Sequence, residues 1–276
     1  MEARVVVASE RLSSRFTGLM YSHVRGHVRP GQQVIESEVV LAGDREYVRY
    51  HLMRLLEEKP RPTALIGICM QPGADVVADF RGAGCPVILL DAEEEGATTI
   101  TSDNFAGGYT AGKHLAETGR RACAIVVGET KYNPAALRRL EGFAKALAER
   151  GLRFSERNIV EVRTYSRREG FDALATIVKA CPDVDAVFCA AGDLCAAGVL
   201  AAARELRLAV PDRLAVLGYD DHPLARLSNP PLSSILQPLA EMAGESWRLA
   251  TEAAAEALEK PRKLAFDPVL VRRVTA

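Results

Sequence analysis

His23 and His27 stand four residues apart in a helix-period stretch, a spacing that presents two imidazoles to one metal ion. A metalloprotease helix with that spacing needs a glutamate directly after the first histidine as general base, and here the residue is Val24. No neighbouring Asp, Glu or Cys completes a ligand set, so the pair reads as surface or interface histidines and no metal is expected. Asp220 and Asp221 come nearest to an acid–base pair. Adjacent strand residues point to opposite faces, so the two carboxylates would not converge; one is assigned to a pocket wall and the other to a helix N-cap. Gly82-Ala83-Gly84 precedes a strand and lacks the third glycine of a phosphate-binding turn, which makes it a helix-to-strand turn. There is no G-x-x-x-x-G-K-[ST] loop and no G-x-S-x-G elbow, and nothing pairs His114 or His222 with a nucleophile. These residues offer no catalytic set and require no cofactor.

Composition narrows the classes. The chain has 276 residues, 48% hydrophobic and 26% charged, with a formal net charge of -1. That is ordinary globular composition, with length enough for two cores of about 130 residues each. A nucleic-acid-binding surface carries a basic excess, whereas Arg138-Arg139 and Arg167-Arg168 are flanked by acids. Val5 to Ala8 is too short for the apolar stretch of a signal peptide, and no run is long enough to span a bilayer, so no membrane partner is expected. The cysteines at 69, 85, 123, 181, 189 and 195 form no C-x-x-C pair and read as reduced core thiols of a cytoplasmic protein.

The elements that must position any site alternate regularly. Val5 to Ala8, Gln33 to Val40, Ala64 to Cys69, Pro86 to Asp91 and Thr98 to Ser102 read as strands. Ser13 to Val28 and Asp44 to Glu58 read as helices, the second with Asp44 as N-cap. A second series follows, with strands at Ala122 to Val127, Ile159 to Val162, Ala186 to Ala190 and Leu214 to Leu217. Its helices are Ala135 to Arg150, Arg167 to Lys179 and Asp193 to Leu206. Continuous apolar strands between helices imply parallel sheets covered on both faces. The tail holds a strand at Ser233 to Leu236, a helix at Leu239 to Leu258 and a strand at Val269 to Val274, as if the chain returns to the first lobe and ends in the second. The expected lobes are 1–119 plus 237–264 and 120–236 plus 265–276, divided near Gly119-Arg120.

Several phrases then combine. Asp103-Asn104-Phe105-Ala106-Gly107-Gly108-Tyr109 leads to Lys113-His114-Leu115 and Gly119-Arg120-Arg121. Arg138-Arg139-Leu140-Glu141-Gly142-Phe143, Asp193-Leu194-Cys195-Ala196-Ala197-Gly198 and Leu217-Gly218-Tyr219-Asp220-Asp221 follow, and Pro230-Pro231-Leu232-Ser233-Ser234-Ile235 precedes Gln237-Pro238. Their order over residues 100–240 resembles the effector-binding core of the lactose-repressor (LacI/GalR) family. The resemblance implies an α/β fold of two Rossmann-like lobes of the type I periplasmic-binding-protein kind, with three crossovers and a ligand cleft between the lobes.

By position, the resemblance implies that Arg139 and Asp220 make polar contacts to a small effector, sugar-like or nucleobase-like. Tyr165 and Phe16 would supply apolar faces, and Gln237, opening a crossover, would line the cleft. It implies a homodimer, with DNA contacted only through a helix-turn-helix headpiece. Family members carry that headpiece ahead of the core, whereas Val5 opens the first strand almost at once, so the headpiece is expected to be absent here. Two departures bear on the ligand. Ala106 stands where sugar-responsive relatives often carry an acid, and the Ala190-Ala191-Gly192 segment has an extra residue and lacks an asparagine found in some relatives. A transport-type solute-binding protein shares the fold, but the missing signal peptide and the cysteines oppose it; an enzyme using the cleft lacks any catalytic set.

Overall fold

Val5, Val6, Val7 and Ala8 are all without solvent contact, which a strand permits only when both faces of its sheet are covered. Alternate residues serve opposite layers: Val5 and Val7 join a core with Met20, Leu239 and Trp247, while Val6 and Ala8 join one with Leu52, Val76 and Phe80. Fully burying one such side chain contributes about 1.5–3 kcal/mol. The computed structural model describes residues 3–9, 15–38 and 45–276. The expected N-cap Asp44, and Ser13-Ser14 and Val39-Val40, lie outside the described residues.

Two compact units emerge: residues 1–102 with 238–266, and 103–237 with 267–276. In the first, β1 (Arg4–Ser9), α1 (Arg15–Gly26), β2 (Gln33–Glu38), α2 (Arg45–Glu57), β3 (Ala64–Ile68), α3 (Ala74–Gly82), β4 (Val87–Leu90) and β5 (Thr98–Ser102) follow in sequence. In the second come α4 (Asn104–Glu117), β6 (Cys123–Gly128), α5 (Pro134–Ala148), β7 (Ile159–Val162), α6 (Arg167–Ala180), β8 (Ala186–Cys189), α7 (Asp193–Glu205), β9 (Ala215–Asp220), α8 (Pro223–Leu227) and β10 (Ser233–Leu236). The chain then gives α9 (Leu239–Thr251), α10 (Ala254–Glu259) and β11 (Lys263–Phe266) to the first unit and β12 (Val269–Val271) to the second. The tail therefore contributes elements to both units. The single tail helix is two, because Ala253 leaves helical backbone at φ -125°, ψ 32°, and β11 is a strand the sequence reading did not contain.

The first sheet is ordered β11-β5-β4-β3-β1-β2 and parallel throughout. The second is ordered β12-β10-β9-β8-β6-β7, parallel except for the antiparallel edge strand β12. In each, strand order reverses between the first and third strands, and the crevice at the carboxyl ends of such strands is where parallel α/β sheets hold ligands.

The division between units falls before α4, not after it near Gly119-Arg120. A Cβ on Gly108 would lie 2.0 Å from the Arg139 carbonyl oxygen, and one on Gly142 would lie 2.1 Å from that of Phe105. Two bare glycines thus let α4 and α5 touch backbone to backbone, and α4 belongs with the second unit.

Candidate functional site

In the second sheet the order reverses between β6 and β8, and Arg139 is brought to that point from α5. Its side chain is buried, 9% exposed. Its Nε donates to Asn104 Oδ1 at 2.7 Å and its Nη1 donates to the Ala190 carbonyl, just past β8, at 2.8 Å. The guanidinium carbon lies over the Tyr219 ring, 3.8 Å from its centroid, and the Tyr219 hydroxyl donates to the same Asn104 oxygen at 3.3 Å. The segment that lacks the relatives' asparagine therefore serves through its main chain.

Asp220 closes β9 one residue after Tyr219. Gln237 Nε2 donates to Asp220 Oδ1 at 2.6 Å. Gln237 is 1% exposed, and its Oε1 has no hydrogen-bond partner among the described residues, so a buried acceptor stands beside the carboxylate. Asp220 and Asp221 both have positive φ, +95° and +48°. Non-glycine residues held there cost about 1–3 kcal/mol each and cluster at binding sites. Asp221 turns away into a two-pronged ion pair with Arg273, at 2.5 and 3.0 Å. The helix after the pair is capped by His222, whose Nδ1 accepts from the Leu224 N–H at 3.1 Å, and not by an aspartate as the sequence reading supposed.

Tyr165 follows β7 at φ +54°, its hydroxyl accepting from Asn133 Nδ2 at 2.8 Å. It lies over Gly128 at the end of β6, where a Cβ would come within 2.0 Å of its hydroxyl oxygen. Glu169 fixes the turn that carries it. Burial pushes the Glu169 carboxyl up, but the Thr164 hydroxyl and the N–H groups of Arg163, Thr164 and Ser166 outweigh burial and hold it at about 2. Arg139, Tyr165, Asp220 and Gln237 thus share the carboxyl-end face of the second sheet. Phe16 is in the first unit, at the start of α1, half-buried against that unit's core. Sequence reasoning missed Asn104, Tyr219 and Asn133 as parts of this site; the first two lie within the quoted phrases, without any signal of a shared contact. Of the paired histidines, His27 lies over Gly244 of α9.

Asp193, 1% exposed at the start of α7, is the buried acid beneath the site. Ser234 Oγ lies 2.7 Å from its Oδ1, and the His222 N–H donates to its Oδ2 at 2.7 Å. Burial, reinforced by the charge of Asp220, raises its pKa to about 8 against those two hydrogen bonds. A free carboxyl near 4 takes up its proton only in more acid solution, so between about pH 4 and pH 8 the folded state binds more protons than the unfolded chain. This group's contribution to stability is therefore full at low pH and declines as pH rises toward 8. Asp193→Asn, which mimics the protonated form, is expected to flatten that decline. Denaturant midpoints at pH 5 and pH 8 measure it, and an equal slope in parent and variant would refute the assignment.

The comparisons agree with this architecture. The family model for a periplasmic binding protein-like domain matches residues 113–275. The HTH-type transcriptional regulator CelR of Thermobifida fusca is 33% identical over 195 residues, 69% of this chain and 56% of CelR. The HTH-type transcriptional repressor PurR of Salmonella newport is 32% identical over 219 residues, 77% of this chain and 63% of PurR. The chain thus spans less than two thirds of the length of these curated relatives. A solved CelR–cellobiose complex superposes with a TM-score of 0.83 at 24% identity, covering 100% of this chain and 86% of that one.

Proposed function

The chain belongs to the LacI family of transcriptional regulators as its effector-binding core, and from that premise we propose that it senses a small polar effector at the carboxyl-end face of the second sheet. The observation that carries the reading is the convergence of Arg139, seated on Tyr219, with the Asp220–Gln237 pair at the end of neighbouring strands. The guanidinium offers a planar fork of donors, and the aspartate and the glutamine carbonyl offer acceptors, which together suit a ligand bearing several hydroxyl or ring N–H groups. Tyr165 supplies an apolar face. The interlobe cleft, and Phe16 with it, enter the proposal on the resemblance alone. The role is binding, without catalysis. The relative CelR is solved with cellobiose, which places sugars first among probes and nucleobases second.

A thermal-shift panel of cellobiose, ribose, sugar phosphates and hypoxanthine tests this. An effector at a hundred times its Kd stabilises the fold by about 2.7 kcal/mol. A panel without any shift would refute these ligand classes. In the wider proposal the chain acts in the cytoplasm as a homodimer, because a two-fold pair matches two half-sites of DNA, and a headpiece outside this sequence makes the DNA contact. Sedimentation is expected to show a dimer at tens of micromolar protein; monomer alone would count against pairing through this core.

A further inference from the structure

Arg139 is fixed more firmly than binding alone explains, and the residues that fix it lie outside the proposed contact set. We infer that Tyr219 and Asn104 are positioning residues that lock the Arg139 guanidinium in one plane and one direction for the effector, an inference that rests on the proposed contact between Arg139 and effector. An arginine side chain has several rotatable bonds, and an unfixed fork would give up most of its two-oxygen selectivity to the entropy of ordering on each binding event. Three restraints remove that freedom. The Tyr219 ring backs the guanidinium, whose carbon lies over it 3.8 Å from the centroid. Asn104 Oδ1 holds Nε at 2.7 Å and the Ala190 carbonyl holds Nη1 at 2.8 Å. Tyr219 is fully buried, so the cation–π contact is desolvated, the condition under which it is strongest. Asn104 accepts from both Arg139 and the Tyr219 hydroxyl, which ties ring and fork into one unit. Asn104 is itself placed by its helix, which Asp103 caps by accepting from the Ala106 N–H at 2.9 Å.

The test has a readout that needs no effector. Phenylglyoxal modifies accessible guanidinium groups, and peptide mass spectrometry gives the rate at Arg139. Loss of the stacked ring in Tyr219→Leu, or of the shared acceptor in Asn104→Ala, is expected to speed labelling about tenfold, while Tyr219→Phe keeps the ring and changes the rate less than about threefold. Arg120, held by the carbonyls of Asp185, Pro211 and Asp212, is the internal reference and should label at the parent rate in all variants. Should Tyr219→Leu fail to fold, Asn104→Ala carries the test. In parallel, calorimetry with the probe that shifts the parent (cellobiose, ribose or hypoxanthine) is expected to show Tyr219→Leu and Asn104→Ala about tenfold weaker and Tyr219→Phe near parent. Unchanged labelling overturns the inference whatever the ligand results. If Arg139→Ala loses binding while Tyr219→Leu and Asn104→Ala keep it, the positioning role fails and the site reading stands. If Arg139→Ala itself binds as the parent does, the site reading fails.

Discussion

Arg139→Ala and Asp220→Asn are expected to cut the thermal shift given by the effector probe to half or less, with opposite effects on the protein without ligand. Hydrogen bonds to charged groups contribute about 1.5–3 kcal/mol each, so either change should weaken binding by roughly 10- to 150-fold. Arg139→Ala also removes a buried side chain stacked on Tyr219 and leaves the Ala190 carbonyl without its guanidinium donor, so the variant should melt earlier than the parent. Asp220→Asn works the other way. Asp220 is the charge that reinforces burial in raising the Asp193 pKa. A neutral side chain of the same shape lets the Asp193 pKa fall back toward the ordinary carboxylate range, which lessens the stability lost between about pH 4 and pH 8, so Asp220→Asn should be at least as stable as the parent near neutral pH while binding poorly. Isothermal titration with the probe, paired with denaturant melts, separates these effects. Two variants that bind as tightly as the parent would remove Arg139 and Asp220 from the site, with the fold untouched.

Gly108→Ala is expected to be among the most damaging single-methyl additions in the second unit. The added Cβ would meet the Arg139 carbonyl oxygen at 2.0 Å, its carbon at 2.8 Å and its Cα at 2.9 Å, all backbone atoms that no side-chain rotation can move aside. α4 and α5 must part, and overpacking of this kind costs about 1–3 kcal/mol or more. Because Asn104 rides on α4 and Arg139 on α5, the same separation stretches their 2.7 Å bond, and effector affinity should fall together with stability. Gly82→Ala, at the end of α3 with open space around it, is the control. An alanine there should change stability by no more than about 1 kcal/mol, and in the favourable direction. A Gly108→Ala variant as stable as the parent would show that the two helices are not held in backbone contact.

The elements were legible from sequence because a strand buried on both faces has to be apolar at nearly every position, as in Val5 to Ala8 and Ala186 to Cys189, and few other local structures share that signature. The helical tail was legible for a related reason: α9 carries Met242, Trp247 and Leu249 toward a core and so needs a sheet to cover. The division between units was not. Gly119, at positive φ, has the look of punctuation, yet whether α4 belongs before or after it depends on a glycine contact with α5, and nothing in α4 alone reports that. β11 was lost because a four-residue half-buried strand between proline-containing turns has too little periodicity to register.

For the site, sequence by itself determined which residues are ionisable and that Asp220 lies at the end of a strand. Tertiary structure decided the chemistry. Asn104 is 35 residues from Arg139 and 115 from Tyr219, and only the packing of α4 on α5 over β9 makes them one cluster. Asp220 and Asp221 look alike in the chain, but left-handed backbone at both breaks the strand alternation, and Arg273, 52 residues from Asp221, takes one of them out of the site. Asp193 reads as an ordinary helix-start acid; its proton near neutral pH comes from burial and from the neighbouring charge of Asp220. Local pattern fixes what each segment can be, because it sets which face is apolar. Which polar groups share a low-dielectric space, and hence their charge and orientation, follows only from how those segments are stacked.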